Sequence, residues 1–199
     1  PALNNSATTT YTFTPNAGQC ATTTTLTIVV NTAGTVTPIT GNTSVCIGDT
    51  LPLANATPGG TWTSNNPDVA TVDNNGLGTP LTPGFVRIVY TTTSVCTLVF
   101  IDITVYLPPN PLLTDKYICV DTITGNYLTL VNMQCGIENA NHTFEWTLDG
   151  VLLPTISNLH VATEVGLYQV TVTNNTTGCS ATAAANVIQS SMAIAEATV

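Results

Sequence analysis

The stretch Gly166-Leu-Tyr-Gln-Val-Thr-Val-Thr-Asn-Asn-Thr-Thr-Gly-Cys179 combines an alternating, aromatic-led strand, a polar turn and one cysteine. A second, Ala-rich strand follows it to Ile188. The same phrase occurs at residues 11–20, before a strand over 24–30, and at residues 85–96, before a strand over 98–105. Because the cysteines that end these phrases lie about 80 residues apart, the period is too long for a solenoid turn and suits a small β-sandwich module.

Composition excludes several classes of function. The chain has 199 residues, with 2 Lys+Arg against 11 Asp+Glu and a formal net charge of -9. Since no basic patch can be built, we expect no nucleic-acid partner. No apolar run approaches the roughly 18 residues of a membrane-spanning helix, so we expect no direct membrane insertion. Threonine, about a fifth of the residues, replaces charged side chains on the outer faces of strands.

Period-two alternation bounded by Gly, Pro and Asn-rich turns recurs along the chain, and no window keeps a helical apolar stripe. The sequence therefore predicts an all-β fold of tandem β-sandwich modules joined by short Pro-containing linkers, at 35–38 and 106–111. The predicted divisions are the C-terminal part of a module, a middle module, a last module, and a linker or first strand of a further module. They cover residues 1–37, 38–107, 108–189 and 190–199. We expect the chain to be an internal piece of a longer protein.

Six cysteines without a zinc-type spacing indicate disulfides and an oxidising compartment. The expected bridges close each complete module on itself, and they join Cys46 to Cys96 and Cys119 to Cys179. Cys20 is expected to have a partner outside the sequence. Cys135 has no counterpart in the repeat, which leaves a free buried thiol or a bridge to another module or chain.

The middle module contains Thr61-Trp62-Thr-Ser-Asn-Asn-Pro67-Asp-Val-Ala70, a turn at Asn74-Asn-Gly76, and a strand that begins at Gly84. This run resembles the bacterial immunoglobulin-like group 2 domain, which implies an immunoglobulin-like sandwich with Trp62 in its core. The segment Gly78-Thr-Pro80 departs from the family pattern, where an apolar strand usually continues.

In the last module, Asp149-Gly150 lies between two apolar runs and predicts a type I′ hairpin that directs Trp146 into the core. The alternation that follows Gly166 resembles immunoglobulin-type or polycystic-kidney-disease-type bacterial surface modules. Such a resemblance concerns the fold and says little about a ligand.

Four phrases together resemble the giant repeat proteins of Bacteroidetes surfaces, which include SprB-type gliding-motility adhesins exported by the type IX secretion system. They are Thr10-Tyr-Thr-Phe-Thr-Pro-Asn-Ala-Gly-Gln-Cys20, Ile39-Thr-Gly-Asn-Thr-Ser-Val-Cys46, Pro58-Gly-Gly-Thr-Trp62 and Asn174-Asn-Thr-Thr-Gly-Cys179. The resemblance implies an extracellular, cell-surface stalk, either anchored to the outer membrane or secreted. It also implies O-glycosylation at Asp-Thr motifs, with Thr50 and Thr122 as acceptors. The alternative interpretation is that Asp49 and Asp121 cap turns.

Candidate catalytic groups are few. His142 and His160 have no nucleophile motif beside them, and Glu138 and Glu145 are interpreted as solvated acids rather than a glycosidase pair. We expect no enzyme activity, no catalytic residues and no cofactor.

Two ligand interpretations stay open. Calcium at domain junctions could use Asp102 and Asp115, whereas Asp73-Asn-Asn-Gly76 fits a hairpin turn better than a calcium loop. Trp62 and Trp146 could be sugar platforms, although their positions match core tryptophans.

Three functions remain at this point. The first is a non-catalytic stalk or spacer of a bacterial surface adhesin, with neighbouring repeats as partners and surface polysaccharide or the secretion machinery as further ones. The second is a set of carbohydrate-binding modules on a secreted enzyme. The third is a filament subunit that assembles by strand addition, since the half-module at residues 1–37 leaves strand edges unpaired.

Overall fold

The computed structural model describes residues 8–30, 35–92, 97–121 and 123–191, with only the backbone at position 191. All regular structure in these ranges is β-strand. The chain divides into two compact units, Pro1–Val105 and Tyr106–Val199. The predicted all-β class is confirmed.

The first unit begins with a hairpin of β1 (Thr9–Phe13) and β2 (Thr24–Ile28), which pair antiparallel as a two-stranded sheet. The middle module follows and contributes seven strands. These are β3 (Ser44–Cys46), β4 (Leu51–Pro52), β5 (Gly60–Ser64), β6 (Ala70–Val72), β7 (Leu77–Pro80), β8 (Gly84–Thr92) and β9 (Thr97–Tyr106).

The middle module is a sandwich of a four-stranded sheet, in the order β3-β9-β8-β5, and a three-stranded sheet, in the order β4-β7-β6. Alternation along β8 makes Val86, Ile88 and Tyr90 face inward. The segment that departs from the group 2 pattern is strand β7, which pairs with both β4 and β6. Val36 also packs against this core. The buried core residues are Ile39, Val45, Leu51, Leu53, Trp62, Val69, Ala70, Val86, Ile88, Tyr90, Ile103 and Val105.

The last module again has seven strands. These are β10 (Lys116–Val120), β11 (Val131–Gln134), β12 (His142–Leu148), β13 (Val151–Leu152), β14 (Leu159–Ala162), β15 (Gly166–Asn174) and β16 (Ser180–Ser191). One sheet has the order β10-β16-β15-β12-β13, and β11 pairs with β14 in the other. Residues 190 and 191 pair with β10 at the end of β16. Residues 192–199 lie outside the described ranges.

The two modules repeat one arrangement. In each, the first strand lies at a sheet edge and pairs with the last strand. The last strand pairs with the penultimate strand, and the penultimate strand pairs with the strand that carries the tryptophan. Asp149 and Gly150 have φ values of 48° and 84°, as a type I′ turn requires, so the predicted hairpin between β12 and β13 is present. The second core consists of Leu113, Ile118, Met133, Cys135, Phe144, Trp146, Ala162, Tyr168, Val170, Val172, Ala185 and Val187.

Hydroxyl pairs cross the exposed faces of the sheets. Thr171 Oγ1 and Thr182 Oγ1 are 3.1 Å apart, and Thr173 Oγ1 and Ser180 Oγ are 2.8 Å apart. Thr10 and Thr27 form the same contact at 3.0 Å in the first hairpin. Threonine thus supplies cross-strand hydrogen bonds where other sheets use charged pairs.

Candidate functional site

The cysteines fall into three environments. Cys46 and Cys179 are disulfide-bonded. Cys20 is exposed, Cys119 is half-buried and Cys135 is fully buried, and all three are free thiols. The predicted bridge from Cys46 to Cys96 involves a position outside the described residues.

The predicted bridge between Cys119 and Cys179 is wrong, because the strand register separates the two residues. Strand β10 runs parallel to β16, and Cys119 pairs with Ser190 near the end of β16. Cys179 precedes Ser180, where β16 begins. About eleven residues of extended chain, or roughly 36 Å, lie between these positions, whereas a disulfide needs Cα atoms about 4.4–6.8 Å apart. The prediction assumed that the first strand of the module meets the turn before the last strand.

Trp62 and Trp146 are core residues and present no platform for a sugar. Trp62 is 8% exposed, and its ring centroid lies 4.8 Å from that of Tyr90. Trp146 is fully buried, and its indole N–H donates to the carbonyl oxygen of Ser157 at 2.8 Å. Both side chains therefore hold the sandwiches together.

An exposed aromatic surface lies instead on the outer face of the sheet formed by β8 and β9. Phe85 is 79% exposed, and Phe100 is half exposed. The Arg87 guanidinium donates to both carboxylate oxygens of Asp102, at 2.7 and 2.9 Å, and lies 3.8 Å above the centre of the Phe100 ring. Phe85, Arg87 and Asp102, together with Asn65 and Val86, line a shallow depression of about 420 Å³.

The sequence did not lead us to this surface, although a signal was present. Phe85 and Arg87 alternate with the buried residues of β8. On β9, the aromatic residue Phe100 lies opposite Val89 of β8. The alternation that placed Val86 and Ile88 inside should have placed Phe85 outside.

The histidines and acids considered as catalytic groups do not form a catalytic set. His142 Nδ1 lies 2.9 Å from the carbonyl oxygen of Ala140. His160 contacts the rings of Trp146 and Tyr168 at centroid distances of 5.5 and 5.3 Å, and its Nδ1 is 2.8 Å from Thr155 Oγ1. Burial lowers the pKa of His160 below its ordinary value. Glu138 and Glu145 are both exposed.

The candidate calcium-binding carboxylates are used within their own units. The backbone N–H groups of Asn75 and Leu77 donate to Asp73 Oδ1, each at 2.8 Å. The bond from Leu77 is the main cause of the lowered pKa of Asp73. Asp102 is held by Arg87, and Asp115 accepts the N–H of Asn186 at 2.7 Å. Within the described ranges, no group of three or more His, Cys, Asp or Glu residues could hold a metal ion.

The first proposed glycosylation motif lies in the loop that follows the first strand of its module. Thr50 is exposed, between β3 and β4. Thr122 lies outside the described residues. Its neighbour Asp121 accepts the N–H groups of Ile123 and Thr124, at 2.8 and 3.2 Å, and these bonds lower its pKa. Asp121 therefore caps a turn.

The described residues include no helix with the length and apolar character needed to cross a membrane. The bacterial Ig-like domain (group 2) family matches residues 27–95. No curated protein matches the chain.

Several solved structures resemble the chain at low identity. Domains 4 and 5 of the S-layer protein SbsC are 14% identical, with 78% of this chain and 100% of that chain covered and a TM-score of 0.36. The C-terminal fragment of intimin, in complex with the intimin-binding domain of its translocated receptor, is 16% identical and has a TM-score of 0.45. The match covers 77% of this chain and 64% of that chain. The titin domains z1z2, in complex with telethonin, are 14% identical and have a TM-score of 0.31. The match covers 80% of this chain and 100% of that chain. Together with the two sandwiches described above, the group 2 match leads to one conclusion about the fold: the chain is built of immunoglobulin-like β-sandwich modules.

Proposed function

We propose that the chain is a non-catalytic, extracellular segment that acts as a stalk or spacer in a bacterial cell-surface adhesin. The observation that carries this proposal is the repetition of one four-strand arrangement around two separate cores. A spacer needs self-supporting units that repeat, and it needs no reactive centre. Each module buries its own tryptophan and tyrosine, so each can resist unfolding by itself.

Chemistry and composition support an extracellular location. Disulfide-bonded cysteines persist in oxidising compartments and are rare in the cytosol. The group 2 match at residues 27–95 is to a bacterial immunoglobulin-like family. With two Lys and Arg residues, the chain also cannot form the basic patch that binds the phosphates of nucleic acid.

The finer assignment rests on resemblance. We propose a Bacteroidetes surface protein, associated with gliding motility and exported by type IX secretion, with O-linked sugars on Thr50 and Thr122. The exposed position of Thr50 supports its use as an acceptor. Neighbouring repeats are the expected partners, with surface polysaccharide or the secretion machinery beside them. Intact mass of the protein from its own cells, with no added hexose on either peptide, would refute the glycosylation.

The proposed location is tested on intact cells. Antibodies raised against the chain should label unpermeabilised cells, and externally added protease should remove the label. Labelling that appears only after permeabilisation would contradict the proposal.

The mechanical role is tested by pulling single molecules in reducing buffer, which removes the disulfide constraint. Each module should give its own unfolding event, since each has its own core. One event that releases both modules together would contradict independent spacers. A variant with Trp146→Ala should lower the force of one event and leave the other unchanged.

The outer face of β8 and β9 favours a second candidate, an accessory carbohydrate-binding module. Phe85 offers an exposed ring, and Arg87, Asp102 and Asn65 offer polar groups beside the same depression. Calorimetric titration with soluble bacterial polysaccharides should then show binding that F85A abolishes. F13A, which changes an exposed phenylalanine outside this surface, is the matched control. If no polysaccharide binds, or if F13A has the same effect, this candidate is excluded.

A further inference from the structure

Cys46 and Cys119 occupy equivalent places in the two modules. Each lies on the edge strand beside the last strand, β3 beside β9 and β10 beside β16. Each directly follows a buried residue, Val45 or Ile118, and is itself half-buried. An Asp-Thr pair follows each cysteine after one or two residues. Despite this equivalence, Cys46 is disulfide-bonded and Cys119 is free.

Cys20 and Cys179 form a second equivalent pair. Each ends a polar turn that contains a glycine in the left-handed region, Gly18 with φ 94° and Gly178 with φ 76°. Each precedes the second strand of its hairpin, β2 or β16. Cys179 is disulfide-bonded, whereas Cys20 is free and exposed.

The first kind of cysteine lies on an edge strand (Cys46 and Cys119), and the second kind ends a polar turn (Cys20 and Cys179). Within the last module, a cysteine of the first kind cannot pair with one of the second. Cys119 lies beside the end of β16 and Cys179 lies at its beginning, roughly 36 Å away along the strand. A disulfide on Cys119 therefore requires a cysteine from another repeat. Cys135 does not compete, because it is fully buried in the core.

We propose that Cys119 forms a disulfide with a cysteine of the Cys20 kind on a neighbouring repeat, and that in a solution of this chain alone the partner is Cys20 of a second copy. The bonded state of Cys46, at the same place in the middle module, shows that this position supports a disulfide. Cys119 and Cys20 are the two accessible free thiols among the described residues, and they represent the two kinds. The inference rests on the proposed function and deepens it, since it names a covalent link between repeats.

The reaction needs an oxidant, and glutathione disulfide is sufficient. The Cys119 thiolate attacks one sulfur of glutathione disulfide, which releases one glutathione and leaves a mixed disulfide. The Cys20 thiolate then attacks the Cys119 sulfur and releases the second glutathione. Two protein thiols lose two electrons and two protons, and one glutathione disulfide becomes two glutathione thiols.

The experiment compares the chain with single-cysteine variants in a glutathione redox buffer, by non-reducing electrophoresis and disulfide peptide mapping. The unaltered chain should form a ladder of covalent oligomers in which the Cys20 and Cys119 peptides are joined. C119S and C20S should each lose the ladder when tested separately. Mixed together, they should give a dimer and nothing larger, because each variant retains one end.

A matched control moves the thiol along the same strand. Tyr117 is exposed and lies two residues before Cys119, on the same face of β10. A C119S chain that also carries Y117C should fail to give the ladder, if the position of the thiol and not mere exposure decides the reaction. Joined Cys119–Cys119 peptides, a bridge from Cys119 to Cys96 or to Cys179, or a monomer with a Cys20–Cys119 bridge would each overturn the inference. Such a result would leave the proposed spacer untouched if the two unfolding events under force persist.

Discussion

The hydroxyl of Tyr90 accepts a hydrogen bond from the amide N–H of Gly60 at 2.8 Å, and the Tyr90 ring fills the space that a Cβ on Gly60 would occupy. The same hydroxyl donates to the carbonyl oxygen of Thr57. Trp62, two residues along β5, lies opposite Tyr90 in the strand pair, and the two ring centroids are 4.8 Å apart. A missing side chain at Gly60 thus lets the tyrosine bridge the edge strand and the loop before it.

Gly60→Ala should destabilise the middle module by about 1–3 kcal/mol, because the added methyl forces the Tyr90 ring out of its position. Hydrogen exchange of β8 peptides in increasing urea measures this module separately from the other. Thr61→Ala, at the next and exposed position of the same strand, is the control and should change stability much less. Equal effects of the two substitutions would contradict the packing argument.

Trp146→Ala should destabilise the last module by about 3–5 kcal/mol, since it removes a fully buried indole and leaves the Ser157 carbonyl without its donor. Leu152→Ala, on the exposed edge strand β13, should cost less than about 0.5 kcal/mol. Urea denaturation followed by exchange of β15 peptides gives both values. If the leucine change matched the tryptophan change, Trp146 would not be the centre of this core.

The last module should lose stability as the pH falls below 6.5. Burial between Trp146 and Tyr168 lowers the pKa of His160 in the folded state, so the unfolded chain binds the proton at a higher pH. Stability is therefore complete above 6.5 and declines from there down to the folded-state pKa. Denaturation midpoints of this module between pH 4 and 8 would show the decline.

Two variants of this module test the assignment. His160→Gln should flatten the pH dependence, and it keeps a side chain that can hydrogen-bond Thr155. Leu152→Ala, which changes an exposed residue without a titratable group, should leave the dependence as it was. An unchanged slope in the His160 variant would assign the effect to another group.

Alkylation rates should follow the exposure of the free thiols. Iodoacetamide should modify Cys20 first and Cys119 more slowly, and should reach Cys135 only when the module unfolds. Cys46 and Cys179 should stay unmodified until a reductant is added. Peptide mass spectrometry over time measures all five positions, and modification of Cys135 as fast as Cys20 would contradict its burial in the core.

Local patterns predicted much of the fold. The alternation around Tyr168, the turn at Asp149-Gly150 and the positions of both tryptophans depend on side-chain period and turn geometry, which neighbouring residues determine. The structure agrees with the sequence at each of these places.

Pairing between distant strands could not be predicted in the same way. Whether β10 runs parallel or antiparallel to β16 depends on the packing of the whole module, and the positions of Cys119 and Cys179 depend on that direction. The exposed surface at Phe85 was not among the predicted sites, although residues that alternate with the core positions of β8 must face outward.

The hydroxyl pairs that cross the sheets have a consequence for the environments in which these modules hold together. The attraction between ionic partners weakens as dissolved salt screens it, whereas a contact between two neutral hydroxyls does not depend on that screening. Pairs such as Thr171 with Thr182 and Thr173 with Ser180 should keep their strength from dilute to concentrated salt. A protein with few charges and many such pairs is suited to surroundings whose salinity changes.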